Sequence, residues 1–123
     1  RLPAWAPVDD QVVAGLVPGP RADWFTDAAR LALFETEWRV SPQSDRIGVR
    51  LDGPALERLV PGELASEGVV RGSVQVPPTG TPTVLLADHP VTGGYPVIAV
   101  VSQASIDAFA QLRPGQAVRF RHA

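Results

Sequence analysis

Proline and glycine break this chain at short intervals. Thirteen prolines and eleven glycines fall within 123 residues, which leaves little room for long helices and favours short strands joined by tight turns. Between the breaks lie short apolar runs at residues 11–17, 36–40, 47–51, 73–76, 83–87, 97–101 and 117–121. Runs of that length and β-branched character, bounded by Pro or Gly, read as strands. In the third of them Ile47, Val49 and Leu51 alternate with Gly48 and Arg50, the pattern of a half-buried strand. Two short helices complete the reading. Asp23 or Thr26 can cap the first, whose apolar face would be Phe25, Ala28, Ala29 and Ala32. Ser102 or Ser105 can cap the second, with Ile106, Phe109 and Leu112 as its stripe. Most connections are too short for βαβ crossovers, so seven or eight strands in a mainly β, antiparallel barrel are expected.

The apolar fraction of 45% is enough for one cored domain over residues 11–123, with the Pro-rich residues 1–10 as a linker. A net charge of -2 disfavours a nucleic-acid or anionic-membrane surface. The absence of cysteine removes disulfides, thiolate chemistry and cysteine-bound zinc, and fits a cytoplasmic location. No apolar run approaches the ~20 residues that span a bilayer. The chain opens on Arg1, which suggests an excerpt of a longer protein. His89 stands at a strand end and His122 in a tail expected to be disordered, and the two make no convincing metal site.

Chemistry concentrates in Asp88-His89-Pro90-Val91-Thr92-Gly93-Gly94-Tyr95-Pro96, between the runs at 83–87 and 97–101. This stretch is too long and too mixed for a minimal hairpin turn. Its paired glycines allow backbone N–H groups to approach a ligand without a Cβ in the way, and polar loops held by buried strands are where sites are found. It is not a P-loop, since no Gly-Lys-Ser/Thr follows. Outside it, Asp45 and Arg46 read either as a turn carboxylate paired with its neighbour or as an anion clamp by Arg46. Glu67 reads as a solvated loop acid or as an acid/base group facing the glycine loop. Gln75 alternates with Val74 and Val76 and takes the opposite strand face; it is either outward-facing or a recognition amide in a barrel mouth. Asp88 can cap the loop through an Asx-turn.

Several blocks taken together resemble the biotin-dependent carboxyltransferase-like family, known as allophanate hydrolase subunit 2, the C component of 5-oxoprolinase and KipI antagonist. They are Ser41-Pro42-Gln43-Ser44-Asp45-Arg46-Ile47-Gly48-Val49-Arg50-Leu51, Gly72-Ser73-Val74-Gln75-Val76-Pro77-Pro78 and Thr92-Gly93-Gly94-Tyr95-Pro96, with Glu63 to Val70 and Leu112-Arg113-Pro114-Gly115 in matching order. The likeness covers roughly residues 17–120. It implies a cyclophilin-like β-barrel and the C-terminal half of a subunit about twice this length. His89-Pro90-Val91 departs from the family's usual Arg-Gln-Thr, and Ser73-Val74 from its usual small residue and Ile.

What the resemblance implies for function is a hydrolase subunit active only with partners: a KipI-like (allophanate hydrolase subunit 1-like) subunit and a lactam-opening subunit, in ATP-dependent hydrolysis of 5-oxoproline to glutamate. A second implication is carboxyl transfer from carboxybiotin in urea carboxylase and allophanate hydrolase systems. A third is a non-catalytic antagonist that sequesters a KipI-like kinase inhibitor; there an apolar surface patch should dominate. No cofactor is expected to bind this domain tightly, with ATP or carboxybiotin entering in the full complex. On this reading Gln75 recognises an amide, and Thr92, Gly93 and Gly94 bind an anion, as does Arg46. Tyr95 shapes the wall, and Glu67 or Asp88 carries protons.

Overall fold

Alternation along the strands decides which side chains meet inside this molecule and which face out. The computed structural model describes residues 11–123. In chain order the elements are β1 (Val12–Pro18), a single 3-10 turn (Ala22–Trp24), α1 (Asp27–Glu35), β2 (Trp38–Val40), β3 (Gly48–Asp52), β4 (Glu67–Gly68), β5 (Ser73–Gln75), β6 (Thr83–Leu85), β7 (Thr92–Gly93), β8 (Val97–Val101), α2 (Gln103–Phe109) and β9 (Ala117–His122). Seven strands close a barrel in the order β1-β8-β5-β6-β3-β2-β9, and β4 pairs only with β7. Every barrel pair is antiparallel except the one that closes it, where β1 runs parallel to β9 from Val12↔Val118 to Leu16↔His122.

The register puts Val74 opposite Val84 and Val84 opposite Val49, an inward row that is fully buried. Leu51 with Val40, and Val118 with Trp38, continue that interior. The buried Trp38 indole donates to the Leu33 carbonyl at 3.0 Å, which meets the need of a buried N–H for an acceptor. The outward row is the complement. Gln75 lies opposite Thr83, and Thr83 opposite Arg50.

Thr26, not Asp23, caps α1, accepting from the Ala29 N–H at 3.0 Å. The buried face is Ala29 and Leu33, one turn apart, while Ala28 is exposed; Phe25, also buried, sits before the helix. The expected face had the right period with a phase set by the alanines, and the larger Leu33 claims the core because it removes more apolar surface from water. Ser102 occupies the cap position of α2, but its hydroxyl turns to Ser105, whose own oxygen accepts from Gly15 N–H at 3.0 Å. Ile106 and Phe109 are buried, and Phe109 stacks on Phe120 with centroids 6.2 Å apart.

Other sequence expectations shift. The strand at 47–51 begins at Gly48, and Ile47 is 49% exposed. The strand at 36–40 begins at Trp38. His122 is the last residue of β9 rather than part of a disordered tail, and its ring stacks on Phe34 at 3.8 Å. Both β4 and β7 form where the sequence reads as loop. The described residues hold nine strands in all. The proposed linker at 1–10 lies outside the described residues.

Candidate functional site

The β4–β7 ribbon lies on the outside of the barrel wall. Val69, just past β4, forms a small buried cluster with Leu85 and Val97, separate from the main core. Leu85 follows the inward Val84, and Val97 lies opposite the outward Gln75, so both belong to the outer face of their strands. Burying such side chains stabilises by about 1.5–3 kcal/mol each when complete, enough to hold a two-residue ribbon that has no ladder to the barrel.

Gly93 makes the seating possible. A Cβ at that position would collide with Nε2 of Gln75 and approach Val69 Cγ1 at 3.6 Å. Glu67 is the direct cross-strand partner of Gly93, so its side chain leaves the ribbon on the side that faces Gln75. Gln75 itself sits at a register shift, where Val74 opposes Ala99 but Gln75 opposes Val97. A bulge of this kind re-aims the side chain beside it. The barrel-mouth reading of Gln75 gives way here: the amide faces the outer wall, because Val74 and Val76 occupy the interior.

A groove of about 670 Å³ runs over this wall. Gln75, Thr83 and Arg50 form its floor, Thr79 and Thr81 one side, and Tyr95 and Pro90 another. Ser41, Gln43, Asp45 and Asp52 complete its polar lining. Asp45 accepts from Ile47 N–H at 2.9 Å and Gly48 N–H at 3.2 Å, which fixes the turn into β3. Nothing among the described residues hydrogen-bonds the side chains of Gln75, Thr81, Thr83 or Tyr95. Polar groups gathered in a concave site and left uncommitted are the recognition elements expected of a ligand pocket.

The other candidate residues fall outside this floor. Glu67 pairs with Arg21, whose backbone N–H donates to Val97 O at 3.1 Å. The Arg21 hydrogen bond, with its positive charge, holds the Glu67 carboxyl below the usual carboxylate range despite partial burial, and Glu67 raises the Arg21 guanidinium in turn. A carboxylate held ionised in this way is a poor proton carrier near neutral pH. Arg46 does not pair with its neighbour Asp45; it is almost fully exposed, with Nε 3.8 Å from Asp88 Oδ2. Asp88 is thus half of a loose surface pair instead of an Asx-turn cap. Thr92 and Gly94 are exposed, and Gly93 contributes by contact with Gln75. His89 turns its Nδ1 to the Pro90 carbonyl at 2.5 Å. Sequence reasoning missed Arg50, Thr81 and Thr83; for Arg50 and Thr83, the outward neighbours of the inward Val49 and Val84, strand alternation was the signal that could have found them.

A second groove, of about 550 Å³, is apolar. It lies between α1 and the ends of β1 and β8, against Leu16, Leu31, Leu33, Phe34 and Ile98. Its charged members, Asp27 and Arg30, pair with each other.

The sequence places this architecture among known proteins. A family model for the carboxyltransferase domain, subdomains A and B, matches residues 1–122. This chain belongs to that carboxyltransferase-domain family. The carboxyltransferase domain is 39% identical over 115 residues to the C component of 5-oxoprolinase from Haemophilus influenzae, covering 94% of this chain and 37% of the relative. It is 42% identical over 104 residues to the C component of 5-oxoprolinase from Escherichia coli, covering 85% of this chain and 34% of the relative. The crystal structure of Kluyveromyces lactis urea carboxylase matches with a TM-score of 0.85 at 26% identity, over 92% of this chain and 11% of that one. The chain therefore spans about a third of the length of these two 5-oxoprolinase relatives.

Proposed function

We propose that this carboxyltransferase domain binds and orients a small planar amide or lactam for an ATP-dependent amidohydrolase assembly of the 5-oxoprolinase kind, converting 5-oxoproline to glutamate together with a KipI-like partner subunit. The uncommitted carboxamide of Gln75, on the floor of the polar groove and under Gly93, carries the reading. It offers one donor and one acceptor face, the complement of a lactam N–H and C=O, and fixed orientation of the reacting amide is itself a large part of catalysis. The kinship with two 5-oxoprolinase components supports the choice of substrate.

The groove does not suit a nucleoside triphosphate. The chain carries arginine and no lysine, and Arg50 is the single guanidinium among the residues lining the groove, too little positive charge for a triphosphate. ATP is assigned to another part of the assembly, and so is proton transfer, since Glu67 and Asp88 both face arginine.

A second reading, carboxyl transfer from carboxybiotin to an amide nitrogen, is favoured by the match to a urea carboxylase. Bound carboxybiotin would supply the transferable carboxyl, and the amide of Gln75 with the hydroxyl of Thr83 would hold its ureido ring. Sequestration of a kinase inhibitor is less well supported, because Tyr95 lines a polar groove and not an apolar patch.

The test is glutamate release from 5-oxoproline and ATP by the full-length protein with its partner subunits. Gln75→Ala should slow turnover at least tenfold. Unchanged turnover would remove Gln75 from the site. Carboxylation of an amide by carboxybiotin, without glutamate release, would move the assignment to the second reading.

A further inference from the structure

Arg50 stands out in the polar groove. Six described arginines (Arg21, Arg30, Arg39, Arg46, Arg71 and Arg119) each have a carboxylate within 4.0 Å. Arg50 has none among the described residues; Arg58 and Arg121 have none either, but they donate to the backbone carbonyls of Gly62 and His122 at 3.0 and 3.3 Å, whereas the Arg50 guanidinium makes only a long contact with the neutral Gln43 Oε1 at 3.4 Å. The two acids that share the groove are turned to other tasks or neighbours. Asp45 accepts the amides of Ile47 and Gly48, and Asp52 lies opposite Arg39 in the register of β3 with β2.

The backbone beneath this cation is fixed. Arg50 N–H donates to Ser44 Oγ at 2.9 Å, and the Arg50 carbonyl accepts from Ser41 N–H at 2.8 Å. Its side chain stands on the outward row Gln75–Thr83–Arg50 that crosses β5, β6 and β3. Neighbouring strands are about 4.8 Å apart, so Gln75 and Arg50 start about 10 Å apart at the backbone. Both side chains rise from the same wall and can lean toward Thr83 between them. That spacing accommodates a small ligand with an amide at one end and an anion at the other.

We infer that Arg50 is the carboxylate anchor of this groove, so that the site selects small amides or lactams that also carry a carboxylate over neutral ones such as urea. The inference rests on the amide-binding reading above and deepens it by naming the ligand class. An arginine fork matches a carboxylate in a two-point contact that a neutral ligand cannot make. Specificity then comes from a group left without its partner when the wrong ligand binds.

The test pairs ligands that differ only in the anion. Binding to the full-length protein is measured by calorimetry for 5-oxoproline against 2-pyrrolidinone, and for N-carbamoylglycine against N-methylurea. In the unaltered protein the carboxylated member of at least one pair should bind about tenfold to a hundredfold tighter than its neutral counterpart, the range for a hydrogen-bonded charge. Arg50→Gln should erase that difference without weakening the neutral member, and Arg50→Lys should restore part of it. Equal affinity within both pairs, no binding by any of the four, or discrimination that survives in Arg50→Gln would each overturn the assignment. Discrimination confined to the N-carbamoylglycine pair would uphold Arg50 as the anchor and count against 5-oxoproline as the substrate, so the two readings fail separately.

Discussion

The two grooves of this molecule use their residues in opposite ways. In the groove beside α1, Leu33, Leu16 and Ile98 already pack into the core, and the only opposed charges, Arg30 and Asp27, satisfy each other. In the groove over β5, β6 and β3, the amide of Gln75, the hydroxyl of Thr83 and the guanidinium of Arg50 have been left without strong internal partners. The first concavity is part of what makes the domain stable. The second contributes little to stability, and its polar groups remain available to a ligand. Size does not distinguish them, at about 550 and 670 Å³; the state of their hydrogen-bonding groups does.

The contrast is breakable by mutation. The largest effect on stability belongs to Leu33→Ala, which should cost about 2–5 kcal/mol by urea denaturation, since a nearly inaccessible leucine leaves a cavity. Ligand binding in the polar groove should survive it under folded conditions. Gly93→Ala should do the reverse. The new methyl displaces the flexible end of Gln75, so stability falls by less than about 1 kcal/mol, while affinity for an amide ligand drops at least tenfold in a titration. If Gly93→Ala binds normally, the ribbon does not set the position of Gln75.

Smaller again is the effect of pH through Glu67. Its folded carboxyl titrates below the ordinary value of 4.5, so the stabilisation it brings is present above that pH and is lost as pH falls through the lowered value. Glu67→Gln should flatten that acid limb of the stability profile and leave the neutral plateau nearly level. An unchanged acid limb would show that Arg21 and Glu67 do not pair in solution. The smallest effect is expected from Leu31→Lys on the open side of the apolar groove, where Leu31 is 59% exposed; urea denaturation should show a change within about 0.5 kcal/mol.

Much of the barrel was legible because inward valines alternate with polar residues and Pro or Gly ends each run. The alternation is clearest in β3, where Val49 and Leu51 are buried and Arg50 and Asp52 exposed, and the wholly apolar run at residues 97–101 has the same bounds as β8. Helix phase was less legible. Ala28, Ala29 and Ala32 mark a face weakly, and burial of Leu33 in the core settled it. The ribbon was illegible for a different reason. Glu67, Gly68, Thr92 and Gly93 together have little strand propensity, and they pair because Val69 docks on Leu85 and Val97, a contact visible only in three dimensions. The same holds for the site: Gln75 could be placed on one strand face, but only the strand order sets Thr83 and Arg50 beside it.

The seam between β1 and β9 joins residues 12–16 to residues 118–122. During synthesis the cylinder therefore stays unzipped until its final strand has cleared the ribosome, and for that interval β1 and β2 expose bare backbone to any passing strand. A barrel stalled before β9 emerges would carry nearly all of its own apolar strands and none of the closure that hides their edges, so β9 is the strand that shields this barrel from edge-to-edge pairing.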